Sequence, residues 1–298
     1  MRIKFWGVRG SIPTPGPTTL QYGGNTSCLE VRAAGTIIIL DGGTGLRLLG
    51  RELLEEFGEQ PLDLTLLLTH THWDHIQGLP FFLPVYRPKN YLRILGYEGA
   101  RVGLQTVLNN QMESPFFPIG LNEVAANIRI EELKDWAFDL NGVHVEARYA
   151  CHPGICVGYR LSAGGHSIAF FPDNELPTAK EIEQAEGRLD SRPPLTAAKG
   201  MPALVDFIRK VDVLVMDSQY NAAEYSEHVG WGHGCVDRVV SLAIEAEVRQ
   251  LYLFHHDPNH EDETIQQMVV YARKLAEKQG GRLQIDAARE GLVVEISD

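Results

Sequence analysis

The stretch His70-Thr-His-Trp-Asp-His75 sets three imidazoles and one carboxylate within six residues. Only 11 histidines occur in 298 residues, so scattered surface histidines do not account for this density. Imidazole nitrogens and carboxylate oxygens are good ligands for zinc, manganese and iron. The run follows Leu64–Thr69, a short apolar stretch that reads as a buried strand. A loop leaving a strand end can turn such side chains into one cavity.

Working outward, the first half is expected to carry strands at Ile3–Trp6, Cys28–Arg32 and Thr36–Leu40, the last two a hairpin through Ala33-Ala34-Gly35. Asp41-Gly-Gly-Thr-Gly45 opens a helix to about Phe57, with Leu46, Leu49, Leu53 and Leu54 on its apolar face. Helices are expected near Gly78–Phe82 and Gly99–Asn109, before the irregular Ser114-Pro-Phe-Phe-Pro-Ile-Gly120. The second half reads as strands at Val143–Ala150, Gly158–Ser162 and Ser167–Phe171, then a polar segment from Glu175 to Met201 with a short helix. After it come a strand Val211–Met216, a helix Val236–Ala246, a strand Gln250–Phe254, a helix Thr264–Gln279 and a strand Leu292–Ile296. Strands precede helices in each half, about 1–140 and 141–298. That order suits an α/β (α+β) sandwich of two mixed sheets with helices outside, as one unit over 1–298.

One cluster is not a whole site, because a two-metal centre needs about seven or eight ligand atoms and open positions besides. Further candidates stand at strand ends: His152, Asp173, and the pair His255 and His256. Any one of them alone reads as an ordinary capping or core polar residue. In the order H-x-H-x-D-H, His, Asp, His they are collectively specific.

That ordered series resembles the metallo-β-lactamase fold superfamily over nearly the whole chain. The resemblance implies a four-layer αββα sandwich and two divalent transition-metal ions, zinc first, with manganese or iron as alternatives. One ion would take His70, His72 and His152, the other Asp74, His75 and His255, with Asp173 bridging. His255 is preferred because family members place this ligand right after the strand, and His256 is the alternative. His72 argues against the diiron oxidoreductases, which carry Glu there, and His75 against the best-known lactamases, which lack it.

Other segments point to one branch. Phe5-Trp-Gly-Val-Arg-Gly-Ser-Ile-Pro13, Tyr22-Gly-Gly-Asn-Thr-Ser-Cys28, Val213–Tyr220 and Gly230-Trp-Gly-His-Gly-Cys235 resemble the phosphoribosyl 1,2-cyclic phosphate phosphodiesterase-like group, related to ribonuclease Z. The resemblance implies a metal-dependent phosphodiesterase. Ribonuclease Z relatives place a His near the scissile phosphate in Gly-His-Ser/Thr. Here His233 matches, with Gly234 at the third position, and the commoner Gly-Asp-Thr reads Pro172-Asp173-Asn174. Asp74 is the expected orienter of the nucleophile and His233 the expected proton donor, held by Asp217; His228 is its rival. A glyoxalase II-like thioesterase shares the ligand series. A non-catalytic metal-containing nucleotide-binding module is the third reading.

Composition narrows the substrate. With 27 basic and 39 acidic side chains the net charge is −12, which argues against coating nucleic acid, since that rests on neutralising phosphates. No Lys- and Gly-rich insertion offers an arm for tRNA. A small cyclic phosphodiester or nucleotide is therefore the expected substrate, with no stable nucleic-acid partner; a homodimer is the assembly that relatives suggest. The four cysteines form no C-x-x-C pair and read as reduced thiols. With no signal-peptide pattern at the start and no apolar run near the ~20 residues of a membrane span, the expectation is a cytoplasmic protein without membrane contact. Asp41–Gly45 lacks dinucleotide or P-loop spacing and is expected to shape the cavity. Arg9 and Asn25–Ser27 are expected either to line the pocket or, for Arg9, to be a surface cation. Trp73 is expected to pack and fix the histidine loop. Pro115–Pro118 is either a lid or core.

Overall fold

Alternation inside the apolar runs decides which face each side chain takes, and here both faces are covered. The computed structural model describes residues 1–97, 103–178 and 197–297. One sheet contains β1 (Arg2–Gly7), β2 (Cys28–Ala33), β3 (Thr36–Leu40), β4 (Asp63–Leu67), β5 (Tyr91–Gly96), β6 (Asn127–Glu132) and β14 (Val293–Glu295). Its order is β14-β1-β2-β3-β4-β5-β6, antiparallel up to β3 and parallel beyond it. The other contains β7 (Ala137–Leu140), β8 (Val143–Tyr149), β9 (Val157–Ala163), β10 (His166–Phe171), β11 (Val213–Asp217), β12 (Gln250–Phe254) and β13 (Gln284–Ala287). Its order is β13-β12-β11-β10-β9-β8-β7, parallel from β13 to β10 and antiparallel after it.

Ile38 and Leu40 of β3 join Val213 and Val215 of β11 and Tyr252 and Phe254 of β12 in one core between the sheets. The alternate residue Ile39 turns outward to Leu46, Leu49 and Leu53 of the helix Leu46–Phe57. On the far side Leu214, Met216, Leu251 and Leu253 meet Val236, Val239 and Val240 of the helix Val236–Glu245 and Ile265 and Met268 of the helix Asp262–Lys278. The layers are therefore αββα, as expected. Because both faces of the central strands are buried, β11 reads as a continuous apolar run. Among the described residues no helix is long and apolar enough to cross a membrane.

Several elements depart from the sequence reading. Strands β5, β6, β7 and β13 were not anticipated. β6, Asn127-Ile-Arg-Ile-Glu-Glu132, is a charged edge strand, and Arg93 of β5 pairs across to Glu131 at 2.6 Å, so its charges report strand pairing rather than a loop. The expected helix at Gly78–Phe82 is instead two short 3-10 turns, Leu79–Phe81 and Leu83–Tyr86, each with a proline in its first turn. The helix expected from Gly99 is described as Leu104–Gln111, and residues 98–102 lie outside the described residues. Of the Glu175–Met201 segment, residues 179–196 also lie outside them; a helix Ala197–Phe207 follows. An unanticipated helix, Ala222–His228, starts at Asn221, whose side chain accepts from the Ala223 and Glu224 amides.

The consequence for function is positional. The chain leaving β3, β4, β8, β10, β11 and β12 delivers, in turn, Asp41, the histidine run, His152, Asp173, Asp217 at its strand's last position, and His255. Phe170 of β10 is fully buried against Phe254 at 5.5 Å between ring centres. Phe170→Ala should lower unfolding free energy by about 3–5 kcal/mol in urea titrations, because the cavity lies between two packed sheets that cannot collapse onto it.

Candidate metal centre

The histidine run reaches the cavity by changing backbone state midway. His70 follows the end of β4, and His72 lies in extended backbone. His72 then caps the one-turn helix Trp73–Ile76, whose rotation brings Asp74 and His75 inward. His70, His72, His152 and Asp173 place ligand atoms within 4.8 Å of one another, as do Asp74, His75 and His255. Asp173 joins the two groups. Its Oδ2 lies 3.5 Å from His152 Nε2 and 3.7 Å from His70 Nε2; its Oδ1 lies 3.1 Å from Nε2 of both His75 and His255. All seven expected ligand side chains thus converge.

The rings are fixed from behind. Asp41 sits at a positive φ of 62° and accepts from the Ser27 hydroxyl and the Thr69 amide. His75 Nδ1 is 2.7 Å from Asp41 Oδ2, His152 Nδ1 3.0 Å from the Gly232 carbonyl, and His255 Nδ1 3.0 Å from Gln219 Oε1. With each Nδ1–H donating outward, each Nε2 is left for the cavity. His255 itself takes φ 60°, a left-handed turn at the end of β12. Its ring lies against Gly10, where a Cβ would fall 2.3 Å from Nδ1, so only glycine fits there. Gln219 and Glu175 were not among the sequence candidates for the site, and Asp41 was expected only as part of the turn that shapes the cavity. Asp41 carried a signal, an acidic residue just after a strand opposite the histidine run; Gln219 and Glu175 carried none.

The donor set suits a divalent ion. His70 Nε2, His75 Nε2 and Asp173 Oδ1 are buried and make no well-aligned hydrogen bond. Buried polar atoms are ordinarily partnered, so unpartnered atoms in both donor groups, His70 Nε2 in one and His75 Nε2 in the other, are the pattern that bound ions would satisfy. Charge follows the same grouping. Burial drives His70 well below the usual imidazole range and His152 down to about 4. Burial acts on His255 in the same direction, but Asp173 and Asp74 outweigh it and push it up to about 9.

His256 is not part of the cluster. Its Nε2 bonds the Ala288 carbonyl at 2.9 Å, and burial holds it down to about 3. His233 Nδ1 lies 2.9 Å from Asp217 Oδ2, and its ring stacks on His255 at 4.9 Å. Both His233 and Asp74 line a cavity of about 390 Å³ over the cluster. Buried Glu175 anchors the loop beneath His233, accepting from the Gly230 and Gly232 amides at 2.7 and 3.0 Å and from the Tyr225 hydroxyl. His228 stacks on Tyr220 and bonds the Glu224 carbonyl, and it does not line the cavity.

Three secondary expectations change. Arg9 is neither pocket wall nor surface cation: it is fully buried and donates to the carbonyls of Gly23, Asp257 and His260. Asn25 is turned to Glu290, while Ser27 supports Asp41. Trp73 does not pack the loop, since it is 80% exposed. Phe116 is exposed and Phe117 meets Phe81 edge-on at 5.7 Å, which splits that pair between surface and packing. Cys28 and Cys156 are free thiols pushed well above the usual range by burial.

Two outcomes follow for metal uptake. A metal displaces the proton that His255 holds up to about pH 9, so apparent affinity should rise with pH towards that value. Calorimetric titration of metal-free protein at pH 7, in buffers of differing ionisation enthalpy, should register net proton release. Asp41→Asn removes the carboxylate behind His75 and should weaken metal binding about 10–100-fold in the same titration, with the fold intact by circular dichroism.

Residues 36–191 match the family model described as the beta-lactamase superfamily domain. Ribonuclease Z of Pyrococcus horikoshii is 23% identical over 291 residues, covering 87% of each chain. Among solved structures, the metallo-β-lactamase fold protein YhfI of Bacillus subtilis superposes with TM-score 0.67 at 16% identity, covering 99% of both chains. A diphosphatase from the PhnP family does so with TM-score 0.65 at 17% identity, covering 99% of this chain and 98% of its own. The two structures share the fold with this chain. By the matched domain and the αββα layers together, the chain belongs to the beta-lactamase superfamily, with ribonuclease Z among its relatives.

Proposed function

We propose that the protein is a two-metal phosphodiesterase acting on a small phosphodiester. The observation that carries this reading is Asp173, whose two oxygens face two different donor sets. His70, His72 and His152 would hold one divalent ion, Asp74, His75 and His255 the other, and Asp173 both. When bound, the ions supply a water that ionises near neutral pH and positive charge beside the phosphoryl oxygens.

The chain's own groups then orient the reactants. Asp74, fixed by the Ser11 amide at 2.8 Å, borders the cavity and directs the attacking water. His233 keeps one N–H on Asp217 and delivers the proton on its other nitrogen to the departing alkoxide, while buried Asp217 stabilises the imidazolium. A thiolate leaves without protonation, so a thioesterase would leave this pair idle. The ribonuclease Z name belongs to relatives that share the fold. Here a net charge of −12 and a cavity wall without Lys or Arg among the described residues favour a small substrate over a long polyanion.

Zinc- or manganese-loaded protein should hydrolyse bis(p-nitrophenyl) phosphate and 2′,3′-cyclic AMP. His233→Ala should cost about 10²–10⁴-fold in kcat on the cyclic nucleotide. The loss should be much smaller with p-nitrophenolate, which departs unprotonated. Equal losses on both substrates would remove the proton-donor role. Two bound metals without any phosphodiester turnover would overturn the phosphodiesterase and bring the thioesterase forward. No metal uptake would leave the non-catalytic module.

A further inference from the structure

Trp73 stands between two cluster residues, the exposed His72 and the buried Asp74, and lines the cavity, and its own side chain is 80% exposed. It has no aromatic neighbour among the described residues. A large indole left in water beside a polar cavity forgoes burial that most tryptophans obtain. Its backbone is nonetheless held, because the His75 amide donates to the His72 carbonyl at 3.0 Å and the Gln77 amide to the Trp73 carbonyl at 2.8 Å, and buried Asp74 and His75 lie in the same turn. The backbone beneath the ring therefore has little conformational freedom to lose on meeting a ligand. A second indole, Trp231, is 58% exposed in the loop that brings His233 to the same cavity, edge-on to His228 at 4.7 Å.

The charge of the wall narrows what such a ring can hold. No lining residue is Lys or Arg, so beyond the cluster nothing in the described wall pairs with a second anionic group. The organic part of a substrate must gain its binding energy from a neutral contact. The cavity, about 390 Å³, is of the size that holds a mononucleotide-sized ligand.

We propose that Trp73 is a stacking platform at the mouth of the cavity, and that the substrate is a singly charged phosphodiester carrying a nucleobase or a similar planar aromatic group. The inference rests on the phosphodiesterase reading and adds the class of organic group. Base–indole stacking is sequence-tolerant, so any of the common bases would serve.

The test is binding, so that it does not depend on turnover. Metal-loaded protein is titrated calorimetrically with adenosine 5′-monophosphate and with ribose 5-phosphate, which share the phosphate and differ in the base. The wild type should prefer the nucleotide by about tenfold or more. Trp73→Ala should reduce that ratio to within twofold, and Trp73→Phe should retain most of it. Trp73 is exposed, so neither change threatens the fold. No preference in the wild type, a preference that survives Trp73→Ala, or no binding of either compound would overturn the inference. If only the phosphodiesterase reading fails, the base preference persists while phosphodiesters stay intact; if only the stacking inference fails, phosphodiesters are cleaved without any base preference.

Discussion

A single buried carboxylate, Asp173, sets the constraint that the rest of the site obeys. It is 2% exposed and lies within 3.7 Å of Nε2 of His70, His75, His152 and His255. A carboxylate in such a place is costly unless positive charge or donors surround it. Those donors come from the ends of β4, β8 and β12 around the end of β10. The sheets must therefore meet with these ends on one rim, and the apolar core between them holds that arrangement.

Around this centre runs a ring of polar supports whose role is orientation. Asp41, the Gly232 carbonyl and Gln219 each occupy the outward nitrogen of one histidine, fixing both tautomer and ring plane. Glu175 extends the ring by tying down the loop that supplies the Gly232 carbonyl and His233. The donor atoms are thereby preorganised. Among the described residues the cavity above is acidic and histidine-rich, with Trp73 in its wall and no Lys or Arg.

The sequence by itself determined the layers and the members of the cluster apart from the choice between His255 and His256. Central strands buried on both faces leave continuous apolar runs, and ligands crowded into one short loop leave a pattern that local composition does not dilute. Edge elements were less legible: β6 is charged and takes its pairing from β5, far back in the chain, and β7 is a strand of four residues hairpinned to β8. Only the tertiary structure decided between His255 and His256. The two are neighbours of the same type, and the left-handed backbone at His255 sends one ring to the cluster and the other to the Ala288 carbonyl. It alone also assigned Arg9 to the interior, Trp73 to the surface, and Glu175 and Gln219 to the support of the histidines. The physical reason is common to all of them: a side chain's direction depends on which distant carbonyl or carboxylate folding brings beside it, and no periodicity in the chain encodes that meeting.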